Sequence, residues 1–426
     1  MKNFTIKNAR VIDPANGVDK VKTVYVANGK FAAKAAEKSE VIDAKGLVLI
    51  PGIVDIHAHL REPGQTSKET IRTGTSAAAA GGITSVVAMP NTVPAVDNTA
   101  TVKLIDELIK QNAVVKVYQT GCITEGRAGQ KLSPIGSLKN AGVVAITDDG
   151  ACVQNNELMR NALEYADMFS LLVMDHCQEA SLTAKGQVHE GEWSCKLGLA
   201  GWPSAGEDLI VSRDVILSHY TGARVHLQHL SSAYSVDIVR RAKARGVRVS
   251  AEATPHHIAL TDAACEGFNT NAKMNPPLRS ESDRKAIIKG LCDGTIDVIA
   301  TDHAPHSVND KDKEFDYASF GIIGFETSFS VCYGALVKSG AMPINRLVEL
   351  MCSKPAQLLG LNAGTLSIGA PADFALIDLE AEYIYEKTYS RSSNSPWLGK
   401  KLPAKVMQTF VDGRRVYSAE KGIEAR

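Results

Sequence analysis

The strongest constraint on the fold is a rhythm. Between Pro51 and about Leu361, eight short β-like runs alternate with helical patterns. The runs are residues 53–59, 83–89, 114–120, 143–149, 171–176, 224–230, 247–254 and 297–303. Most are rich in Val and Ile, as strands buried on both faces should be. Clear helical patterns fall at residues 99–111, 156–169, 208–220, 235–245 and 282–292, and Gly81-Gly82, Gly142 and Gly246 follow such patterns, where a left-handed helix terminus is expected. Eight βα units in series predict an α/β fold, a (β/α)₈ barrel of the TIM type over residues 51–362.

The flanks read differently. Short strand patterns occur at residues 4–9, 21–26 and 41–44, and again at 374–378, 406–411 and 416–417. They predict a small composite β-sandwich domain built from residues 1–50 and 363–426; two independent β appendages are the alternative. Residues 183–207 and 304–321 are long for connections, and long loops of barrels line active sites.

Composition excludes several function classes. Lys plus Arg number 47 and so do Asp plus Glu, which argues against a nucleic-acid partner. The first six residues lack the apolar stretch of a signal peptide, and no run of about 18 apolar residues predicts a membrane span. The eight cysteines form no Cys-x-x-Cys pair. Those beside apolar runs (Cys177, Cys292, Cys332) are expected to be small buried hydrophobes in a reducing cytoplasm.

The chemistry is carried by residues at strand ends. His57 and His59 close the first run two residues apart, so their imidazoles share a face. Asp148-Asp149 close the fourth run and His176 the fifth; His229 lies near the end of the sixth and Asp302 near the end of the eighth. In such a barrel these positions meet on one rim. Imidazole with carboxylate suits Zn²⁺, with Mn²⁺, Co²⁺ or Fe²⁺ as options. Six ligands exceed the needs of one tetrahedral ion. Two ions sharing a carboxylate and a hydroxide would use them all and would suit hydrolysis of an amide-like bond. His219 is expected on a helix surface and His226 turned toward the helices. His256 and His257 are expected beside the site without ligating, and His303 facing away from Asp302.

The run Asp55-Ile56-His57-Ala58-His59-Leu60-Arg61-Glu62-Pro63-Gly64 resembles the dihydroorotase signature of the cyclic amidohydrolases. So do Met89-Pro90-Asn91-Thr92, Lys273-Met274-Asn275-Pro276-Pro277-Leu278-Arg279 and Ala300-Thr301-Asp302-His303-Ala304-Pro305-His306. The likeness spans nearly the whole chain. It departs from hydantoinases, allantoinases and some dihydroorotases, which bridge their metals with a carboxylated lysine at the end of the fourth strand. Here that strand has no lysine, and the chain is similar to a bacterial subgroup with aspartate in its place.

The resemblance implies reversible, zinc-dependent hydrolysis of (S)-dihydroorotate to N-carbamoyl-L-aspartate, the third step of de novo pyrimidine synthesis. It implies that His57, His59, Asp149 and Asp302 hold one metal and that Asp149, His176 and His229 hold a second; Asp148 is the alternative to Asp149. Asp302 would be the catalytic proton shuttle. Arg61 would clamp the substrate carboxylate, with His59, Asn91, Asn275, His306, Phe320 and Gly321 around the ring. A homodimer, cytoplasmic, with an association with aspartate transcarbamoylase, completes the expectation. The competing readings are a hydantoinase- or allantoinase-like amidase and a non-catalytic, dihydroorotase-like partner of the transcarbamoylase. The retained metal-type residues count against the second, and the anionic clamp and bridging residue against the first. Residues 311–314, with Gly321 and Gly324, read as a mobile loop over the site.

Overall fold

The structure, a computed structural model, describes residues 3–424. Eight parallel strands follow the expected rhythm: β1 (Ile53–Ala58), β2 (Ile83–Ala88), β3 (Lys116–Gly121), β4 (Ala145–Ile146), β5 (Leu172–Asp175), β6 (Val225–Leu227), β7 (Val249–Ala253) and β8 (Val298–Ile299). They pair in sequence order. A parallel bridge between Ala58 and His303, with the His59 N–H donating to the His303 carbonyl at 2.9 Å, joins the last strand to the first. The ladder thus comes round as a barrel.

The five clear helical patterns become helices Thr99–Asn112, Asn156–Met168, Ala205–Thr221, Ala233–Ala244 and Glu281–Asp293. Asn98, Asn155 and Ser280 start three of them, each side chain accepting a backbone N–H of the first turn. No helix of the described residues is long and apolar enough to cross a membrane.

Two apolar layers sandwich the strands. Ile83, Val173, Val225, Ala251 and Ile299 face outward into the helix-packed core. Val54, Ile56, Val87, Ala145, Leu172, Met174 and Val298 fill the lumen. The barrel is therefore plugged below, and chemistry is confined to the rim at the strands' C-terminal ends. β4 and β8 are only two residues long, shorter than the runs that predict them. Beyond each, the chain leaves the ladder to carry Asp149 and Asp302 inward.

The terminal segments meet in one nine-stranded sheet. Its seam is Val48–Pro51 against Phe374–Ile384, with Phe374 opposite Pro51 and Leu376 opposite Leu49. The rings of Phe4 and Phe410 touch at 5.4 Å although two strands lie between theirs. Flat strands at a spacing of about 4.8 Å would hold them far apart, so the sheet curls around its own core. Part of the C-terminal segment leaves this sheet for the barrel rim. Ser392 Oγ donates to the Lys68 carbonyl at 2.6 Å, and Asn394 Nδ2 donates to the carbonyls of Ala304 and Gly321 at 3.0 and 2.9 Å. Cys177 and Cys332 are buried as expected, but Cys292 is exposed, because its helix turns that position outward.

Candidate metal centre and active site

The six metal-type residues converge, and Asp149 is their hub. Its Oδ1 lies 3.2 Å from His57 Nε2, 3.6 Å from His176 Nδ1 and 3.8 Å from His229 Nε2, and its Oδ2 lies 3.4 Å from His59 Nε2. Asp302 Oδ1 closes the other side, 3.0 Å from His59 Nε2 and 3.5 Å from His57 Nε2. Two triads that could each hold an ion, His57–His59–Asp149 and Asp149–His176–His229, share one carboxylate. Asp148 points elsewhere. Its carboxylate accepts the Ile123 N–H at 2.8 Å, the Thr124 N–H at 3.1 Å and the Thr124 hydroxyl.

Strand irregularities aim these side chains. Even-numbered Val54 and Ile56 fill the lumen, so regular alternation would turn His57 outward. Between β1 and β2 the register runs from Asp55–Val86 to Ala58–Ala88, three residues against two. This bulge resets the phase, and both histidines face the rim interior. His229 (φ +34°) and Asp302 (φ +46°) leave their strands in the left-handed region, as does Arg61 (φ +59°). That strain is concentrated where three side chains must be turned into one site.

His226 corrects an expectation. It faces the lumen, not the helices: its Nε2 donates to Glu252 Oε2 at 3.0 Å. Alternation along β6 puts His226 and Gln228 inside, and the twist at His229 brings that residue in as well. Glu252 itself carries no sequence motif, yet it organises the centre. Its Oε1 accepts His57 Nδ1–H at 2.5 Å and the His229 N–H at 3.2 Å. The signal was present, an acid inside a strand buried on both faces.

The outer nitrogens of His59 and His176 are also occupied. His59 Nδ1–H donates to Asn91 Oδ1 at 3.0 Å, and His176 Nε2–H to Gln178 Oε1 at 2.9 Å. In the neutral rings, these partners leave the lone pairs of His57 Nε2, His59 Nε2 and His176 Nδ1 directed inward. His57 Nε2 is buried with no hydrogen-bond partner, and His176 Nδ1 lies 2.7 Å from His229 Nε2. Inward lone pairs around a shared carboxylate fit divalent cations of the zinc class. A third cluster, Asp175–Cys177–Asp214, does not: Arg213 occupies it, bonding Asp175 Oδ2 at 2.8 Å and Asp214 Oδ1 at 2.9 Å.

Electrostatics follow from burial and these neighbours. Burial alone would lower the His57 pKa, but Glu252, Asp149 and Asp302 hold it well up. Burial would raise Asp149, yet the surrounding histidines hold it well below the carboxylate range. Arg61 is buried, which pushes its guanidinium down to about 10 while Asp302 and Asp149 support its charge. Its Nε donates to the Pro305 carbonyl at 3.3 Å, and its Nη2 lies 3.5 Å from His306 Nε2. Burial and the Arg61 charge push His306 down to about 2, so it is a neutral imidazole.

The remaining predicted residues ring this mouth. Asn275 Nδ2 donates to Gln178 Oε1 at 3.0 Å, and its Oδ1 is buried without a partner. His257 Nε2–H donates to the Pro276 carbonyl at 3.1 Å and so holds the Asn275 loop. Gly321 lies against His306, where an added Cβ would come within 2.6 Å of the ring. Phe320 packs edge-on to Trp202 at 5.7 Å. His303 turns away from the centre to Glu69 at 3.2 Å, and His219 is exposed.

Comparisons with known proteins agree with this geometry. A family profile described as Dihydro-orotase-like matches residues 46–235. A dihydroorotase of Acetivibrio thermocellus is 47% identical over 96% of this chain and 98% of its own length. One of Geotalea daltonii is 48% identical over 98% and 100%. Among solved structures, an L-hydantoinase (dihydropyrimidinase) of Arthrobacter aurescens superposes with a TM-score of 0.89 at 24% identity, covering 100% of this chain and 98% of its own, which establishes a shared fold. Near-complete alignment at almost half identity with these relatives settles the family: the chain belongs to the dihydroorotases.

Proposed function

We propose that the chain is a metal-dependent cyclic amidase that interconverts (S)-dihydroorotate and N-carbamoyl-L-aspartate, the ring-closing step of pyrimidine synthesis. One observation carries the reading. A carboxylate shared by imidazoles on both sides, Asp149, sits in the field of a buried arginine, Arg61, at the same mouth. A neutral cyclic amide has no use for that arginine; a ring bearing a carboxylate does.

His57, His59, Asp149 and Asp302 would hold one zinc ion, and Asp149, His176 and His229 a second. Bound there, divalent metal supplies an acidified water and a polarised ring carbonyl. The chain's own residues do the rest. Arg61 and neutral His306 bind the substrate carboxylate and fix the ring's orientation. Asn91 and Asn275 offer amide groups to its polar edges, and the backbone at Phe320-Gly321 closes over it. Asp302, ionised in the resting site, takes the proton of the attacking water and delivers it to the departing ring nitrogen. In the reverse direction it takes that proton from the ureido nitrogen as the ring closes. The same reading includes a cytoplasmic homodimer and an association with aspartate transcarbamoylase; light scattering, alone and with the transcarbamoylase, tests both.

The primary test is loss of the dihydroorotate ring absorbance on incubation with zinc-loaded protein. Turnover abolished by a chelator and restored by zinc is expected. Turnover of hydantoin or allantoin in preference to dihydroorotate would overturn the substrate assignment.

A further inference from the structure

The loop after β8, residues 304–321, carries His306 at one end and Phe320-Gly321 at the other. One side chain spans it from within. Lys311 is buried, and its amino group donates to the carbonyls of Ser319 at 2.8 Å, Gly321 at 3.1 Å and Lys273 at 3.4 Å. Among the described residues no carboxylate pairs with it. Three neutral carbonyl oxygens take the place of water around Nζ, and burial beside Lys273 pushes this amine down to about 7.

Two further bonds give this arrangement a direction. The Lys273 carbonyl that takes Lys311 also accepts the Gly321 N–H at 2.9 Å. The Gly321 carbonyl that takes Lys311 also accepts Asn394 Nδ2, and Asn394 Oδ1 accepts the His306 N–H at 3.1 Å. Both peptide groups of Gly321 are thereby pinned, and His306 is tied to the same knot. A second buried ammonium, Lys273, holds the outer part of the loop through the carbonyls of Phe315 at 2.5 Å and Asp316 at 3.1 Å.

Resting on the functional reading above, we propose that Lys311 is a positioning residue whose buried amino group, through its hydrogen bonds to three carbonyls, fixes the Gly321 backbone and the His306 ring at the substrate mouth. Its hydrogen bonds go to backbone carbonyls and to none of the metal-type residues. Its effect is to hold the 304–321 loop in the binding conformation before substrate arrives, so that binding energy is not spent in ordering it. A hydrophobic side chain of similar length would fill the space but leave the Ser319 carbonyl without a donor and the Lys273 and Gly321 carbonyls with one donor each.

The test pairs Lys311→Met with Lys311→Gln, the latter retaining two N–H donors without the charge. Hydrogen exchange of residues 312–321 is followed in the zinc-loaded protein, together with metal content and steady-state turnover of dihydroorotate. For Lys311→Met, full metal content, exchange faster by at least about tenfold in this loop alone, and KM raised by about tenfold with kcat within about threefold are expected. Lys311→Gln should fall between, and it carries the test if the Met variant does not fold. Unchanged loop exchange in a folded variant overturns the proposal, whatever substrate the enzyme prefers. So does a fall in kcat with KM unmoved. Absence of dihydroorotate turnover in the wild-type protein would instead refute the substrate assignment, and the exchange result would still decide the loop.

Discussion

Replacing Glu252 by glutamine should weaken metal binding without unfolding the barrel. The carboxylate spans three donors: His57 Nδ1–H and the His229 N–H on Oε1, and His226 Nε2–H on Oε2. Glutamine keeps the volume and one oxygen. If that oxygen serves His57 and His229, the amide N–H₂ faces His226, which can shift its proton to Nδ1 and donate to Ser250 Oγ, 2.8 Å away. Each of the three original donors then keeps a partner, and the main loss is the charge on the His57 bond. The difference between a charge-assisted and a neutral hydrogen bond is about 1–2 kcal/mol, or roughly 5- to 30-fold in affinity. This overlaps the roughly 10- to 100-fold loss found when a residue behind a metal ligand is altered. Competition for zinc against a chromophoric chelator measures it directly, with circular dichroism to verify the fold. A folded variant that binds zinc within about twofold of wild type would refute the claim that Glu252 sets the basicity of His57. Glu252→Ala, which strands three buried donors, should fail to fold or should melt far lower.

Three other substitutions probe separate links. Asp302→Asn should keep the fold and lose turnover by about 10²–10⁴, the usual contribution of a general base; near-normal kcat would reassign the proton shuttle. Arg61→Met should raise KM for dihydroorotate by roughly 10- to 100-fold, the equivalent of a charge-assisted bond or two; an unchanged KM would remove it from the carboxylate. Glu326, partly exposed but largely desolvated and repelled by Glu69, is pushed up to about 8, although the Tyr389 and Ser390 N–H groups partly stabilise its charge. In the unfolded chain a glutamate ionises near ~4.3. Between these values the folded state holds the extra proton, so this group makes stability fall as pH rises toward 8. Glu326→Gln should therefore melt roughly 2–5 °C above wild type at pH 8.5 and close to it at pH 5; an equal difference at both would contradict the buried-acid explanation.

What the sequence disclosed depends on how local each signal is. The barrel strands are legible because β-branched runs buried on both faces differ from amphipathic helices within ten residues. His57, His59, His176, His229, Asp149 and Asp302 are legible as metal-type residues at strand ends. Their orientation is not, since it depends on the β1 bulge and on left-handed backbone at His229 and Asp302. The same twist misleads alternation at His226. Glu69, Gln178, Glu252 and Asn394 carry no motif, and each acts on groups far along the chain. Asn394, for example, holds Ala304, ninety residues earlier. Only tertiary folding brings such partners together.

The reach of the C-terminal segment to the barrel rim has a consequence for synthesis on the ribosome. All six metal-type residues have been made once Asp302 is translated. Asn394, which fixes His306 and Gly321, comes about ninety residues later, roughly 5–20 s at ordinary elongation rates. The curled sheet also waits for Phe374–Ile384 before Val48–Pro51 finds its neighbour on the far side of the seam. A nascent chain thus carries its metal-type residues well before the contacts that finish the mouth beside them. A chain that ended before Asn394 would hold the metal-type cluster without the contacts that fix the His306 and Gly321 backbone.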